Sequence, residues 1–404
     1  MKHKWGGVRS RVDIFIVQTQ LLILILAYFQ TECSALFSKS SNVQIVSGTE
    51  EVDPNNLLYE HTSCLKKGIQ KSPKHEAESQ SQHKINIFDS ELQANSGFCG
   101  IFNGGKSQFI EFEASSFAYL RKQYGIKESD FLNSFAEQRE FLEFQSNSKS
   151  RQSFFFSHDG RYMIKTQKAS ETQALIDILP ELRKHMEQNP DSLINRFCGL
   201  YSVKTSVCSR PVYFVVIENI MFTPLTLQKK YDLKGSSVGR TASIKESAKS
   251  CPVLKDNDLK NAETKIKLGK KSKRKLLRIL ERDVAFLNSM NLMDYSILLG
   301  IHHSSSSKGR RRSLPLQKVF QAPVRCLWNK FLMTKPSKVH HARFCSGNNQ
   351  ILFLGIIDIL QRYNTRKYLE TWLKSCIYAK EELSPVPPSF YSQRMVAFVN
   401  QHFC

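Results

Sequence analysis

Apolar residues fall three and four positions apart in "SSFAYLRKQYG", "ESDFLNSFAEQREFLEF", "ETQALIDILPELRKHMEQNP" and "SKRKLLRILERDVAFLNSM". That spacing lays one apolar stripe along a helix, so four helices are predicted. The first should end at Gly125, because glycine takes a left-handed C-terminal conformation without steric cost, and Pro190 should stop the third. The period then shortens. "SFFFSHDGRYMIKT", "FCGLYSVKT" and "RPVYFVVIENIMF" are runs rich in aromatic and β-branched residues. The first predicts a hairpin turning at His-Asp-Gly, and together the runs predict antiparallel pairing. "YSILLGIHH" and "ILFLGIIDIL" are short enough to be buried strands.

Two stretches lack any period. Residues from Ser38 to about Gln108 are polar and punctuated, and read as linker and loops. His303 to Gln350, centred on "SSSSKGRRRSLPL", shows no register and reads as a mobile basic insertion. The first forty residues combine a basic start, an apolar run and a small-residue end, which suits a secretory signal or a membrane anchor. Gln18 and Gln20 interrupt the run from Ile14 to Phe29, leaving it short of the ~20 apolar residues that span a bilayer. An incidental segment is the third reading.

With 404 residues, 41% of them hydrophobic, the chain can bury one large core or two. The 58 Lys and Arg against 36 Asp and Glu give a formal charge of +22, which points to an anionic partner. Ten cysteines without a CxxC spacing indicate reduced thiols rather than a metal site or disulfide scaffold. "GIFNGGKS" (Gly100 to Ser107) satisfies the P-loop expression. A P-loop needs a buried strand directly before it and a helix directly after, however; no strand pattern precedes Gly100, and the later helices and strands do not alternate as a parallel sheet requires.

Isolated charges in apolar surroundings carry more. Lys165 ends the hairpin strand "YMIKT", Asp294 interrupts "MNLMDYSILLG", and Asp358 interrupts "GIIDIL". A buried lone charge costs several kcal/mol, so each of these needs a partner or a ligand. In kinase-like folds a strand lysine neutralises nucleotide phosphates, a helix glutamate holds that lysine, and a later carboxylate holds Mg²⁺. Lys165, Glu171 and Asp358 are spaced for those roles.

"SFFFSHDGRYMIKT", "FCGLYSV", "YFVVIENIMFT", "KKYDLKGSSVGR", "VLKDNDL", "LERDVAFLNSMNLMDYSILLGIH", "LGIIDILQRYN" and "VPPSFYSQRMVAFV" resemble, in order, the signature blocks of the phosphatidylinositol phosphate kinases. The resemblance implies an α+β, two-lobed fold of antiparallel sheets flanked by helices, distantly like protein kinases and usually dimeric. It implies a boundary plan: a hydrophobic segment over 1–40, a linker over 41–63, and a kinase domain over 64–404. Within that domain the N-lobe covers about 64–228, the C-lobe about 229–404, and the insertion about 303–350. It also implies ATP and Mg²⁺ as cofactors, a phosphatidylinositol monophosphate as substrate, and a peripheral position on the cytosolic face of a membrane, to which the N-terminal segment, read as an anchor, would add.

Carried over by residue, the resemblance makes Lys165 the ATP lysine, with Glu171 and Ser153 beside the nucleotide, and Asp358 the magnesium ligand. Asp294 takes the catalytic-loop position, Asp232 and Lys234 belong to the same centre, and Arg240 lies near the lipid phosphate. One departure stands out. The family's phosphate-covering turn is glycine-rich, whereas "KSRQSFF" has Lys149 and Gln152 at glycine positions, which disfavours close approach to phosphate and suits a slow enzyme or lipid-binding scaffold. "RKYLETWLKS" resembles the branch that phosphorylates phosphatidylinositol 4-phosphate on the 5-hydroxyl, with Glu370 at the specificity position and Lys374 facing lipid. By periodicity alone the same stretch is an amphipathic helix with Trp372 and Leu373 in a core. The basic clusters "KLGKKSKRK" and "KGRRRS" have no interleaved aromatics, so an anionic membrane surface, not nucleic acid, is the expected partner.

Overall fold

The computed structural model describes residues 49–51, 58–72, 100–102, 107–136, 141–144, 152–205, 210–223, 225–249, 251–262, 265–303, 342–346 and 350–404. The expectations for residues 1–40, for Lys149 and for most of the basic insertion lie outside them. In chain order the first half holds β1 (Thr49–Glu51), α1 (Tyr59–Lys71), β2 (Gly100–Phe102), β3 (Ser107–Glu111), α2 (Ala114–Gln123) and α3 (Glu128–Ser134). Then come β4 (Leu142–Phe144), β5 (Phe154–Phe156), β6 (Tyr162–Gln167), α4 (Ala169–Gln188), β7 (Phe197–Lys204) and β8 (Val212–Glu218). The second half holds β9 (Lys229–Leu233), α5 (Ile244–Ser247), β10 (Val253–Leu254), α6 (Asp256–Asn261), α7 (Lys270–Ser289) and β11 (Ser296–His303). It closes with β12 (Ala342–Ser346), β13 (Gln350–Ile357), α8 (Thr365–Ser375) and α9 (Pro388–His402).

Two sheets result, and the architecture is α+β with two lobes. The first is eight-stranded, in the order β1-β4-β5-β6-β8-β7-β3-β2, and the second five-stranded, β10-β9-β11-β13-β12. In β8, Val215 enters a core with α2 and α4, while Phe214 and Val216 enter another with α1 and α3. Alternation along one strand thus supplies two cores, which is why β7 and β8 read as nearly continuous apolar runs. The first of those cores continues into the second sheet through Leu299, Leu354 and Ile356 and onto α7 and α9. The segment joining the sheets packs down on β11 and β13. Side chains at Gly300 and Gly355 would collide with Met221 and Ile220 of that joint.

Several sequence expectations hold. The His-Asp-Gly hairpin forms, pairing Phe154 with Lys165, and Gly125 ends α2 at φ +72°. Ser107 opens a strand paired with β2, not the helix a P-loop needs.

Others need correction. The stretch read as linker contains α1, whose Leu65 and Ile69 are buried in the core, so the ordered fold begins before residue 64. The helix expected through "ESDFLNSFAEQREFLEF" ends at Ser134, because Phe135 and Phe141 pack edge to face at 6.0 Å and Phe135 packs on Tyr162. The end of the insertion is strand, not mobile chain: Ala342–Ser346 pairs along β13.

Candidate active site

Register places the charges. Ser296 of β11 lies opposite Ile357 of β13, and Ile297 opposite Leu233 of β9. The residues just outside these three strands therefore meet at one edge of the sheet: Lys234 after β9, Asp294 before β11, Asp358 after β13. Lys234 Nζ donates to Asp294 Oδ1 at 2.7 Å and to the Asp294 carbonyl at 2.8 Å. From the other sheet Lys165, on β6, donates to Asp358 Oδ1 at 2.7 Å, with the Phe154 ring 5.5 Å from its ammonium.

Both aspartates have left-handed backbones, φ +63° at Asp294 and +59° at Asp358. This conformation costs a residue with a Cβ about 1–2 kcal/mol and is tolerated best by Asp, Asn and Gly. Surroundings hold it. Met293 N–H donates to the Gln361 carbonyl at 2.9 Å, and the buried Tyr391 hydroxyl on α9 donates to the Tyr295 carbonyl. The Asp358 side chain keeps half its surface exposed. Desolvation of the covered part raises its pKa, but the charge and hydrogen bond of Lys165, with the charge of Lys234, outweigh that and hold the carboxyl below its ordinary range.

The structure does not bring every expected residue to the edge. Glu171 does not hold Lys165: its Oε2 accepts from the Lys168 N–H at 3.0 Å and from Gln152 Nε2 at 2.8 Å, capping α4. Ser153 lies beside the hairpin, its N–H donating to Thr166 Oγ1 at 2.9 Å. Arg240, expected at the lipid phosphate, is buried. Its Nε donates to Asp256 Oδ2 at 2.7 Å, and its Nη2 donates to the Asp232 carbonyl and lies 3.5 Å from Asp232 Oδ1. Two of its nitrogens are thus committed inside the protein.

The helix that follows the edge is unusual. In α8 Glu370 accepts from Lys367 at 2.9 Å and Lys374 at 2.6 Å. Burial raises its pKa, and these two hydrogen bonds more than reverse the effect. Trp372 is not in a core: it is 50% exposed, beside exposed Tyr368 and Leu369, and exposed Ile377 and Tyr378 follow. Only Thr371 is buried in this helix, its Oγ1 lying 2.8 Å from the Pro385 carbonyl.

Sequence reasoning assigned no role to Asp256, Tyr391 or Arg394. Asp256 is fully buried, and Arg394 donates to the Leu383 carbonyl and, at 3.5 Å, to that of Lys234. The single available signal was an aspartate at the start of a short helix, which sequence alone attributes to capping.

Among the described residues there is no group of three or more His, Cys, Asp and Glu able to hold a metal by itself, and no helix long and apolar enough to cross a membrane. A family model described as phosphatidylinositol-4-phosphate 5-kinase matches residues 135–402. A probable phosphatidylinositol phosphate kinase of Dictyostelium discoideum is 32% identical over 73% of this chain and 48% of its own length. Phosphatidylinositol 4-phosphate 5-kinase-like protein 1 of Mus musculus is 32% identical over 71% of this chain and 73% of its own. The mouse phosphatidylinositol 4-phosphate 5-kinase type-1 beta is 31% identical over 72% and 58% respectively. The chain therefore spans about half the length of the first of these relatives. The match runs from the end of α3 to the last turn of α9, through β4 to β8 of the first sheet, all of the second, and every charge gathered between Lys165 and Asp358, and on that ground the protein belongs to the phosphatidylinositol phosphate kinase family.

Proposed function

We propose that the chain transfers the γ-phosphoryl group of ATP to the 5-hydroxyl of phosphatidylinositol 4-phosphate, giving the 4,5-bisphosphate. The observation that carries this reading is the 2.7 Å approach of Lys165, from one sheet, to Asp358, from the other. A cation from one sheet meeting an anion from the other forms a place for a nucleotide triphosphate and its cation. In the reaction the lipid hydroxyl oxygen attacks the γ-phosphorus, the bond from that phosphorus to the bridging oxygen breaks, and ADP leaves. Asp294 accepts the hydroxyl proton, held for that by Lys234. Lys165 and Lys234 balance phosphate charge, and Asp232 lies on β9, two residues before Lys234.

The carboxylates suit Mg²⁺, which is commonly bound by one or two carboxylates together with substrate phosphates. Asp358 has half its side-chain surface exposed and Asp294 over a quarter, so both can reach a cation that arrives with the nucleotide. When bound, the ion neutralises charge developing on the phosphates.

The exposed Trp372, Leu369 and Tyr368 beside Lys374 suit contact with an anionic membrane from the cytosolic side. Glu370 in that helix positions the basic residues that discriminate the headgroup. A second reading, a slow enzyme serving mainly as a lipid-binding scaffold, is favoured by one observation: Gln152 stands at a glycine position of the phosphate loop and its side chain is tied to Glu171 at 2.8 Å. Incubating the purified protein with γ-labelled ATP, Mg²⁺ and vesicles holding one phosphatidylinositol monophosphate at a time tests both. The enzyme reading expects label with the 4-phosphate above the 3- and 5-phosphates. Vesicle binding without label on any lipid is the scaffold's signature.

A further inference from the structure

We infer that Asp256 and Arg240 are positioning residues that set Lys234 and Asp232 against Asp294, an inference that rests on the phosphoryl-transfer reading above. Asp256 is fully buried and sixteen residues beyond Arg240. Its Oδ1 accepts the Lys234 N–H at 2.9 Å and the Gly235 N–H at 2.7 Å. Its Oδ2 accepts Arg240 Nε–H at 2.7 Å. One carboxylate thus fixes the backbone from which the Lys234 side chain leaves for Asp294. Arg240 carries the constraint on to Asp232, donating to its carbonyl and lying 3.5 Å from its carboxylate Oδ1. That oxygen is otherwise buried without a hydrogen bond.

Gly235 makes the arrangement feasible. Its φ of +71° turns consecutive N–H groups toward one oxygen, and a Cβ there would sit 3.4 Å from Phe398. Residues 236 to 238 are also held from elsewhere. Ser237 and Val238 N–H groups donate to the Glu382 carbonyl at 3.1 and 3.0 Å, and the Ser236 and Ser384 hydroxyls lie 2.9 Å apart. The carboxylate thus acts on the two residues next to the reacting groups, on Lys234 directly and on Asp232 through Arg240.

The alternative role for Arg240, direct contact with the lipid phosphate, predicts different kinetics. A positioning residue lowers kcat and leaves KM for lipid in place, whereas a lipid contact raises KM. Asp256→Asn keeps an oxygen for the two N–H groups but turns an amide donor on Arg240 Nε–H, freeing the guanidinium to close on Asp232. Arg240→Lys keeps the charge and loses the fork, and serves as the second variant should the first not fold.

The test is steady-state kinetics on vesicles of phosphatidylcholine with phosphatidylinositol 4-phosphate, accompanied by lysine acylation read by mass spectrometry. Each variant is expected to lose about 10–100-fold in kcat, as small misplacements do, with KM for ATP and lipid within about twofold. Asp256→Asn with Arg240→Lys should be no worse than the poorer single variant, since both act through one network. Lys234 should acylate faster in Asp256→Asn while Lys165, paired with Asp358, does not change. Unchanged kcat in either single variant, a raised lipid KM with kcat intact in Arg240→Lys, or additive losses in the double variant overturns the inference. If the wild-type protein phosphorylates no lipid, the functional reading fails by itself. Acylation then decides the positioning claim: faster labelling of Lys234 in Asp256→Asn supports it and an unchanged rate overturns it.

Discussion

Replacing Asp358 with asparagine separates chemistry from folding, and the structure sets both magnitudes. The carboxylate keeps half its side-chain surface exposed while pairing with Lys165 at 2.7 Å. Such a solvent-accessible pair contributes about 0–1 kcal/mol to stability. Asparagine tolerates the left-handed backbone at φ +59° as aspartate does, so no strain is added. A loss of about 1 kcal/mol lowers Tm by roughly 2–4 °C in a domain of about 150–250 residues, and the expected shift is no larger. Activity should behave otherwise. The substitution removes the negative charge that would hold the cation on the transferring phosphoryl group, and turnover should fall at least ~100-fold. Lys165→Met, removing the opposite member, should do the same. Lipid phosphorylation with γ-labelled ATP and thermal melting of the same preparations measure the two effects. Turnover within tenfold of wild type in a folded variant refutes the assignment. A fall in Tm above about 10 °C would mean that Asp358 supports the fold rather than the reaction.

Three further outcomes are expected. Glu370→Ala frees Lys367 and Lys374, which it holds at 2.9 and 2.6 Å, and should shift the product ratio from phosphatidylinositol 4-phosphate toward the 5-phosphate when both share one vesicle; equal loss on both lipids would make Glu370 a structural helix residue. Gln152→Gly removes the side chain tied to Glu171 and should lower KM for ATP severalfold with lipid KM unmoved, which a rise in KM for ATP would contradict. Burial, with the nearby charges of Lys260 and Lys265, lowers the pKa of His402 below its ordinary 6.5. A lowered folded pKa means the unfolded chain takes up the proton first, so stability is full above pH 6.5 and declines as pH falls through the folded value. Melting curves across pH 5 to 8 should show that decline flattened in His402→Gln, and an identical slope would contradict the assignment.

The parts of this molecule legible in its sequence are those encoded locally. The hairpin at residues 154–167 announced itself by composition and turn, and Lys165, Asp294 and Asp358 by being single charges in apolar runs. Where a side chain's partner lies far along the chain, legibility fails. Glu171 looked like the partner of Lys165, but Gln152, nineteen residues earlier, takes it. Arg240 looked free to meet a lipid because the burial of Asp256 leaves no periodic mark. Helix α1 was hidden in a polar stretch because Cys64, Leu65 and Ile69 are too few to make a convincing stripe. Strand β12 exists through its ladder with β13, and its own composition resembles the basic insertion it ends. Trp372 reversed a sensible default: the amphipathic helix is real, and its apolar side faces outward.

Under the proposed function, the Lys165–Asp358 and Lys234–Asp294 pairs form a centre that phosphorylates the inositol 5-hydroxyl. Its most direct test is to react the protein with γ-labelled ATP and phosphatidylinositol 4-phosphate vesicles, deacylate the product, and locate the new phosphate on the ring by chromatography against isomer standards. The expected result is label on the 5-position of the 4,5-bisphosphate, abolished by Asp294→Asn. Label on another ring position, or label that persists undiminished in Asp294→Asn, would contradict it.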